Sequence, residues 1–263
     1  MTLHVLSDDR GVLTLRLNDP DKRNAIDEET MLGLVAAIDA AATDDDVRVI
    51  VIEGTGDHFC GGADIIARNV RSDRKPRTGS IQRRLPVQAH RLIPLICSVQ
   101  VPVVCKVQGW AAGIGFQIAL AADFTVAVDD ALVWEPFTER GFTPDSGATW
   151  LLPRRVGEVR ARELLLLGRA LSGTEAAEWG AIHRAVPADQ LERAADEIVE
   201  RLANGPTVAL GLTKWLLGVG AGSGFDTQLA NEAFALELSS RSEDFREGIA
   251  AFREKRPPRF EGR

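Results

Sequence analysis

The chain has 263 residues with 45% hydrophobic and 26% charged content, ordinary globular proportions that allow one large or two small domains. Its formal charge of −7 argues against wholesale nucleic-acid binding, no apolar run reaches a bilayer span, and the Asp8–Asp9–Arg10 start lacks the features of a signal peptide, so a cytoplasmic protein without membrane or nucleic-acid partners is expected. Cys60, Cys97 and Cys105 are odd in number and lack metal-ligand spacing, which points to neither a disulfide framework nor a metal site.

Gly11 to Leu17 alternates, with Leu13, Leu15 and Leu17 on one face, and reads as a half-buried strand. A turn follows at Asn18–Asp19–Pro20–Asp21, and Asp27 can then cap a helix in which Met31, Leu34, Val35 and Ile38 recur at helical spacing. Val47 to Ile52 is almost continuously apolar, the pattern of a strand covered on both faces. The order then repeats: a Gly-rich loop at 61–62, an arginine-rich loop, a helix near 85–97, a strand at 101–107, a second Gly-rich loop at 109–115, a short helix, and a strand at 124–128. This alternation predicts sheet layers covered by helices. From Gly157 onward strands nearly vanish: Ser172-x-x-Glu175 is a capping-box pattern, and segments near 191–202, 207–217, 226–239 and 243–254 read as helices. Asn204–Gly205–Pro206 divides a core at 1–204 from a helical C-terminal region at 205–263.

Phe59-Cys-Gly-Gly-Ala-Asp64 and Gly109-Trp-Ala-Ala-Gly-Ile-Gly115 each join a buried strand to a helix. Glycine there permits tight turns and close backbone approach, and free amides at helix starts can hold negative charge. Neither loop matches a phosphate-binding fingerprint, and taken singly each is equally a packing turn.

Together with their neighbours, these loops make the chain resemble the crotonase, or enoyl-CoA hydratase/isomerase, superfamily from end to end. Pro20-Asp-Lys-Arg-Asn-Ala-Ile26 resembles its early CoA-contacting turn, Phe59 to Ile65 its first oxyanion loop, Gln108 to Gly115 its second, and Leu171 to Gly180 the segment that ends its core. The resemblance implies an α/β spiral of ββα units with a helical C-terminal subdomain for oligomerisation and CoA contact, assembled as a homotrimer or homohexamer. It implies an acyl-CoA substrate, with CoA as part of the thioester and no separate cofactor or metal. Carried over by position, the oxyanion donors are the backbone N–H groups of Ala63 and Ile114. The CoA contacts are Lys22, Arg23, Ala25, Ala63, Asp64 and Ile65, with Phe252 and Lys255 reaching the CoA of a neighbouring subunit. Ile114 stands where glycine is common, a departure that a main-chain donor tolerates.

The two glutamates that share hydration in the family align with Gln117 and Phe137, neither of which transfers a proton. The neighbourhood offers Glu139 and Asp145 instead. On local sequence alone Asp145 reads first as an N-cap or first-turn acid of the helix carrying Trp150, Leu151 and Leu152. Phe137 followed by Pro144-Asp-Ser-Gly147 and Leu151-Leu-Pro-Arg154 resembles the branch of the family containing the isomerase of ring-1,2-epoxyphenylacetyl-CoA, in which an aspartate here shuttles the proton. One carboxylate suffices for isomerisation, whereas hydration must also activate water. Burial against Trp134, Phe137 and Phe142 is expected to raise its pKa. Glu139 is the default solvated acid, or the base of a hydratase.

Other readings rank below this one. Cys60 abuts the first loop, but no histidine is fixed beside it, and His58 reads as a surface loop residue. Trp110 lines the acyl pocket or sits in the core. Arg68, Arg71, Arg74, Lys75, Arg77, Arg83 and Arg84 form a solvated face or, more remotely, an RNA contact; the C-terminal cluster around Arg253 and Arg256 meets a phosphate or solvent. The missing glutamates also allow an acyl-CoA-binding protein without catalysis.

Overall fold

The computed structural model describes residues 2–64 and 77–263. Its first strand, β1 (Leu3–Ser7), pairs antiparallel with β2 (Val12–Leu17), which runs parallel to β3 (Val49–Gly54). Between β2 and β3 lies α1 (Glu28–Ala41), opened as expected by Asp27, whose carboxylate accepts the Thr30 N–H at 2.8 Å. β1 was not anticipated: it is a half-exposed edge strand with a weak apolar pattern.

β3 shows why a continuous apolar run means burial on both faces. Its alternate side chains part, Ile50 and Ile52 joining the larger core while Val49 and Val51 join a second one with Val12, Val104, Val199 and Leu202. After the short helix α2 (Ser80–Arg84) come α3 (Ala89–Ser98), β4 (Val103–Val107), β5 (Trp110–Ala112), α4 (Ile114–Ala121), β6 (Phe124–Val128) and β7 (Leu132–Trp134). The second Gly-rich loop thus contains a strand of its own, β5, too short to leave a period-2 signal. A kinked helix α5 (Ala148–Leu167), β8 (Leu171–Ser172), α6 (Gly173–Glu178) with the expected capping box, and β9 (Arg184–Val186) follow.

The larger sheet has the order β1-β2-β3-β4-β6-β9 and is parallel beyond β2; the smaller has the order β5-β7-β8. The chain ends in α7 (Leu191–Ala203), α8 (Thr207–Gly220), α9 (Phe225–Ser239) and α10 (Glu243–Glu254). Two side chains tie this helical region to the core. Arg48 donates to the carbonyl of Gly205 at 2.6 Å and to Thr207 Oγ1 at 3.1 Å. Lys214 is buried on α8, donates to the carbonyls of Ile96 and Val101, and pairs with Asp123 at 2.7 Å. Among the described residues no helix is long and apolar enough to cross a membrane.

Candidate active site

The two Gly-rich loops are stitched to each other by their main chains. Phe59 N–H donates to Gln108 O and Cys60 N–H to Trp110 O, both at 2.8 Å, and Ala112 N–H returns to Cys60 O at 2.9 Å. Gly115 allows this approach, since a Cβ there would lie 2.6 Å from Cys60 Cβ. On its other side the first loop is held by the early turn: Gly61 N–H donates to Arg23 O at 2.7 Å, Ile26 N–H to Gly62 O at 2.8 Å, and Asp64 N–H to Ile26 O at 2.9 Å.

Between these bonds Ala63 N–H finds no acceptor among the described residues. Ile114 N–H is in the same position for a different reason: it opens α4, and the first amides of a helix have no intrahelical partner. Gly113, at φ +52°, turns the chain into that helix, and its own N–H is taken by Trp134 O at 2.9 Å. Ala63 and Ile114 line one cavity of about 330 Å³, together with Asp64, Phe137, Phe142 and Asp145. Two unsatisfied main-chain donors on one cavity are the equipment for stabilising an oxyanion.

Asp145 reaches this cavity half-buried, and Ser146 Oγ donates to its Oδ1 at 3.0 Å. The capping role does not hold. Gly147, at φ +95°, is the N-cap of α5, and Asp145 contributes its main-chain carbonyl, which accepts Ala148 N–H at 3.1 Å. Phe137 and Phe142, edge to face at 5.4 Å, share the cavity wall with Asp145. Trp134 does not: its Nε1 donates to Gly168 O at 2.8 Å behind the wall. Glu139 is exposed on a 3-10 turn (Thr138–Arg140), packs against Gly168, and does not line the cavity.

The acid with the most unusual surroundings is one the sequence analysis passed over. Glu135 is 1% exposed, and Gln117 Nε2 donates to its Oε2 at 3.3 Å. Burial drives its carboxyl well above the ordinary range, against the lowering effect of the Gln117 amide, and the charge of Asp145 adds to the rise. Glu135 Oε1 and Gln117 Oε1 are both buried without a hydrogen-bond partner. Its place next to Trp134, at the end of a three-residue strand, gave no periodic cue to its burial.

The early turn is pinned by Asn24, another residue without a motif to announce it. Its Nδ2 donates to His58 O at 2.6 Å and Thr55 O at 2.9 Å, and its Oδ1 accepts Asp19 N–H. Lys22 pairs with Asp64 at 3.3 Å, Arg23 stacks over Trp110 at 4.5 Å, and Ala25 is half-buried behind them. Trp110 therefore belongs to the wall of the turn and not to the cavity, and His58 is a strut whose Nδ1 accepts Trp110 N–H at 3.2 Å. Cys60 is fully buried, and desolvation pushes its thiol up to about 12, so it is no nucleophile. Ile65 and the arginines at 68, 71 and 74 lie outside the described residues. Phe252, 83% exposed, and Lys255, the C-cap of α10, do not line the cavity of their own chain. Arg256 is engaged within the chain by Glu247.

A family model described as enoyl-CoA hydratase/isomerase matches residues 7–263. The 1,2-epoxyphenylacetyl-CoA isomerase of Escherichia coli K12 is 37% identical over 97% of both chains. A Rhodobacter capsulatus protein named "Probable enoyl-CoA hydratase" is 36% identical over 96% of this chain and 95% of its own. The crystal structure of an enoyl-CoA hydratase from Bacillus anthracis superposes with a TM-score of 0.92 over 100% of both chains at 28% identity.

Proposed function

The chain belongs to the enoyl-CoA hydratase/isomerase family, and within it we propose that it is an isomerase of an acyl-CoA thioester, moving a double bond or rearranging a ring, with Asp145 as the proton shuttle. The observation that carries this reading is the sharing of one cavity by Asp145 and the two free amides of Ala63 and Ile114; the family resemblance, which sets Gln117 and Phe137 against the hydration glutamates, supports it.

On this reading the thioester carbonyl sits between the two amides. Asp145 takes a proton from a carbon conjugated to the carbonyl, and the electron pair moves onto the carbonyl oxygen, where the N–H groups of Ala63 and Ile114 stabilise the enolate. The protonated Asp145 then returns the proton to a different carbon and the carbonyl re-forms. Nothing is gained or lost, so no activated water is needed. Lys22, Arg23, Ala25 and Asp64 border the first loop and serve the CoA; Phe252 and Lys255 serve the CoA of a neighbouring copy in a homotrimer or homohexamer. The exposed apolar side chains of Phe225, Phe234 and Leu236 on α9 support such an assembly.

A panel of enoyl-, dienoyl- and aryl-acetyl-CoA thioesters tests the proposal, scored separately for double-bond migration, for deuterium uptake from D₂O and for addition of water. Migration and exchange without net hydration are expected on at least one thioester. Hydration with no migration makes the protein a hydratase, and binding without either reaction makes it an acyl-CoA-binding protein.

A further inference from the structure

Ser146 is a non-glycine residue at φ +52°, followed by Gly147 at φ +95°, so two successive residues turn left-handed just before α5. A serine pays strain for that conformation, and strain held at a site edge calls for a reason. The reason is visible in what the turn does to its side chain. Neighbouring side chains diverge in helices and strands, whereas here the Ser146 hydroxyl folds back onto the residue before it and donates to Asp145 Oδ1 at 3.0 Å. Ser146 is only 3% exposed, so its hydroxyl is not a group that water would serve equally well. It also lines the cavity that holds the Ala63 and Ile114 amides.

Resting on the reading of Asp145 as base, we propose that Ser146 is the positioning residue of that carboxylate. Its hydroxyl occupies Oδ1, fixes the rotation of the carboxyl group and leaves Oδ2 to exchange the proton with substrate. A carboxylate free to spin offers either oxygen at any angle, and general-base catalysis depends on the direction of one lone pair. The other charges around the cavity are Glu135 behind its wall, Arg140 on the following turn, and Arg84, Asp27, Glu28 and Asp64 across it, with His90 on the neighbouring face of α3.

Two substitutions separate the hydroxyl from the turn. Ser146→Gly removes the hydroxyl and relieves the left-handed strain; Ser146→Ala removes the hydroxyl and keeps the strain. In both, binding of a CoA thioester, read by calorimetry, should stay as in the parent. Isomerisation of 3-hexenoyl-CoA, or of the best thioester of the panel, should lose about tenfold in kcat with KM little changed, the split expected when a base loses its alignment and the fold keeps its binding site. If Ser146→Gly turns over as the parent does, serine serves the turn alone and the inference falls. If Asp145→Asn itself retains full turnover, the base is elsewhere and the proposed function fails first. A parental kcat in both serine variants, with Asp145→Asn inactive, overturns the inference and leaves the proposed function standing.

Discussion

Gln117 and Glu135 face each other inside the wall of the candidate site, joined by one hydrogen bond of 3.3 Å from Nε2 to Oε2, and each keeps a second oxygen, Oε1, buried without a partner. Two acceptor oxygens left over in one buried pair are what a missing proton looks like. A protonated Glu135 converts one of its oxygens into a donor, and with the amide suitably turned the acid and amide can satisfy each other twice. Gln117 brings an amide from α4, and Glu135, the residue after β7, brings a carboxyl group beside it.

The pair makes stability depend on pH in a defined direction. Burial raises the folded-state pKa of Glu135 above its unfolded value, so the folded protein binds this proton more tightly. The stabilisation is complete below the ordinary glutamate range near 4.5 and is lost as pH climbs from there through the raised value. Glu135→Gln keeps the shape and carries no titration. Its melting temperature should exceed that of the parent at pH 8 and converge with it toward pH 5, at about 2–4 °C for each kcal/mol. A constant difference across pH 5–8 in calorimetric scans would show Glu135 to be ionised in the fold.

The fold was legible where burial imposes a long period. The continuous apolar run of β3, the α1 pattern behind Asp27 and the Ser172–Glu175 capping box appear where expected. β5, β7, β8 and β9 are two or three residues long, below what a period-2 signal can mark. At the site, the two Gly-rich loops were legible because glycine is required by backbone approach, as at Gly115. The roles of Asn24, Glu135 and Ser146 were not, since each depends on partners brought together by the fold: Thr55 and His58 for Asn24, Gln117 for Glu135, and a left-handed turn for Ser146.

Deleting one oxyanion donor should be possible without deleting the helix that carries it. Ile114 is the first residue of α4, a position that accepts proline because its N–H has no helical partner. Ile114→Pro should therefore fold, as judged by circular dichroism, and lose about 10²–10³-fold in kcat, the usual cost of one such donor. Retention of more than a third of parental turnover would remove Ile114 from the oxyanion site.

Lys214 offers a prediction about stability that does not touch the site. Its ammonium is buried, its pKa is lowered by desolvation against the pull of Asp123, and it serves two main-chain carbonyls as well as that carboxylate. Lys214→Ala leaves Asp123 Oδ2 with the Val103 N–H alone and should cost about 3–5 kcal/mol in urea denaturation. Adding Asp123→Asn removes the stranded charge and should recover part of the loss, a coupling that a double-mutant cycle would read directly.

Lys255 stands apart from the cavity of its own chain, and the proposed function gives it to the CoA of a neighbouring copy. Lys255→Ala should raise KM for an acyl-CoA several-fold and leave kcat within about twofold, because a remote phosphate contact holds ground state and transition state alike. A collapsed kcat at unchanged KM contradicts that role. The same measurement in dilute protein, with mass followed by light scattering, should show KM rising as the assembly dissociates.

Asp145 and Glu139 can be told apart because the fold gives them different surroundings. Asp145 faces the cavity with one oxygen held by Ser146, and α5 does not use its side chain as a cap; Glu139 is exposed and packs against Gly168. Asp145→Asn keeps the volume and an acceptor for the Ser146 hydroxyl, so stability should change by less than about 1 kcal/mol. Proton transfer has no such substitute, because an amide neither accepts the proton nor returns it. Isomerase turnover should fall by roughly a hundredfold or more, with binding of a CoA thioester unchanged by calorimetry. Glu139→Gln should cost less than tenfold in the same assay. The reverse pattern, full activity in Asp145→Asn and its loss in Glu139→Gln, would require the Thr138–Arg140 turn to rearrange toward the cavity when substrate binds, and would move the base to Glu139.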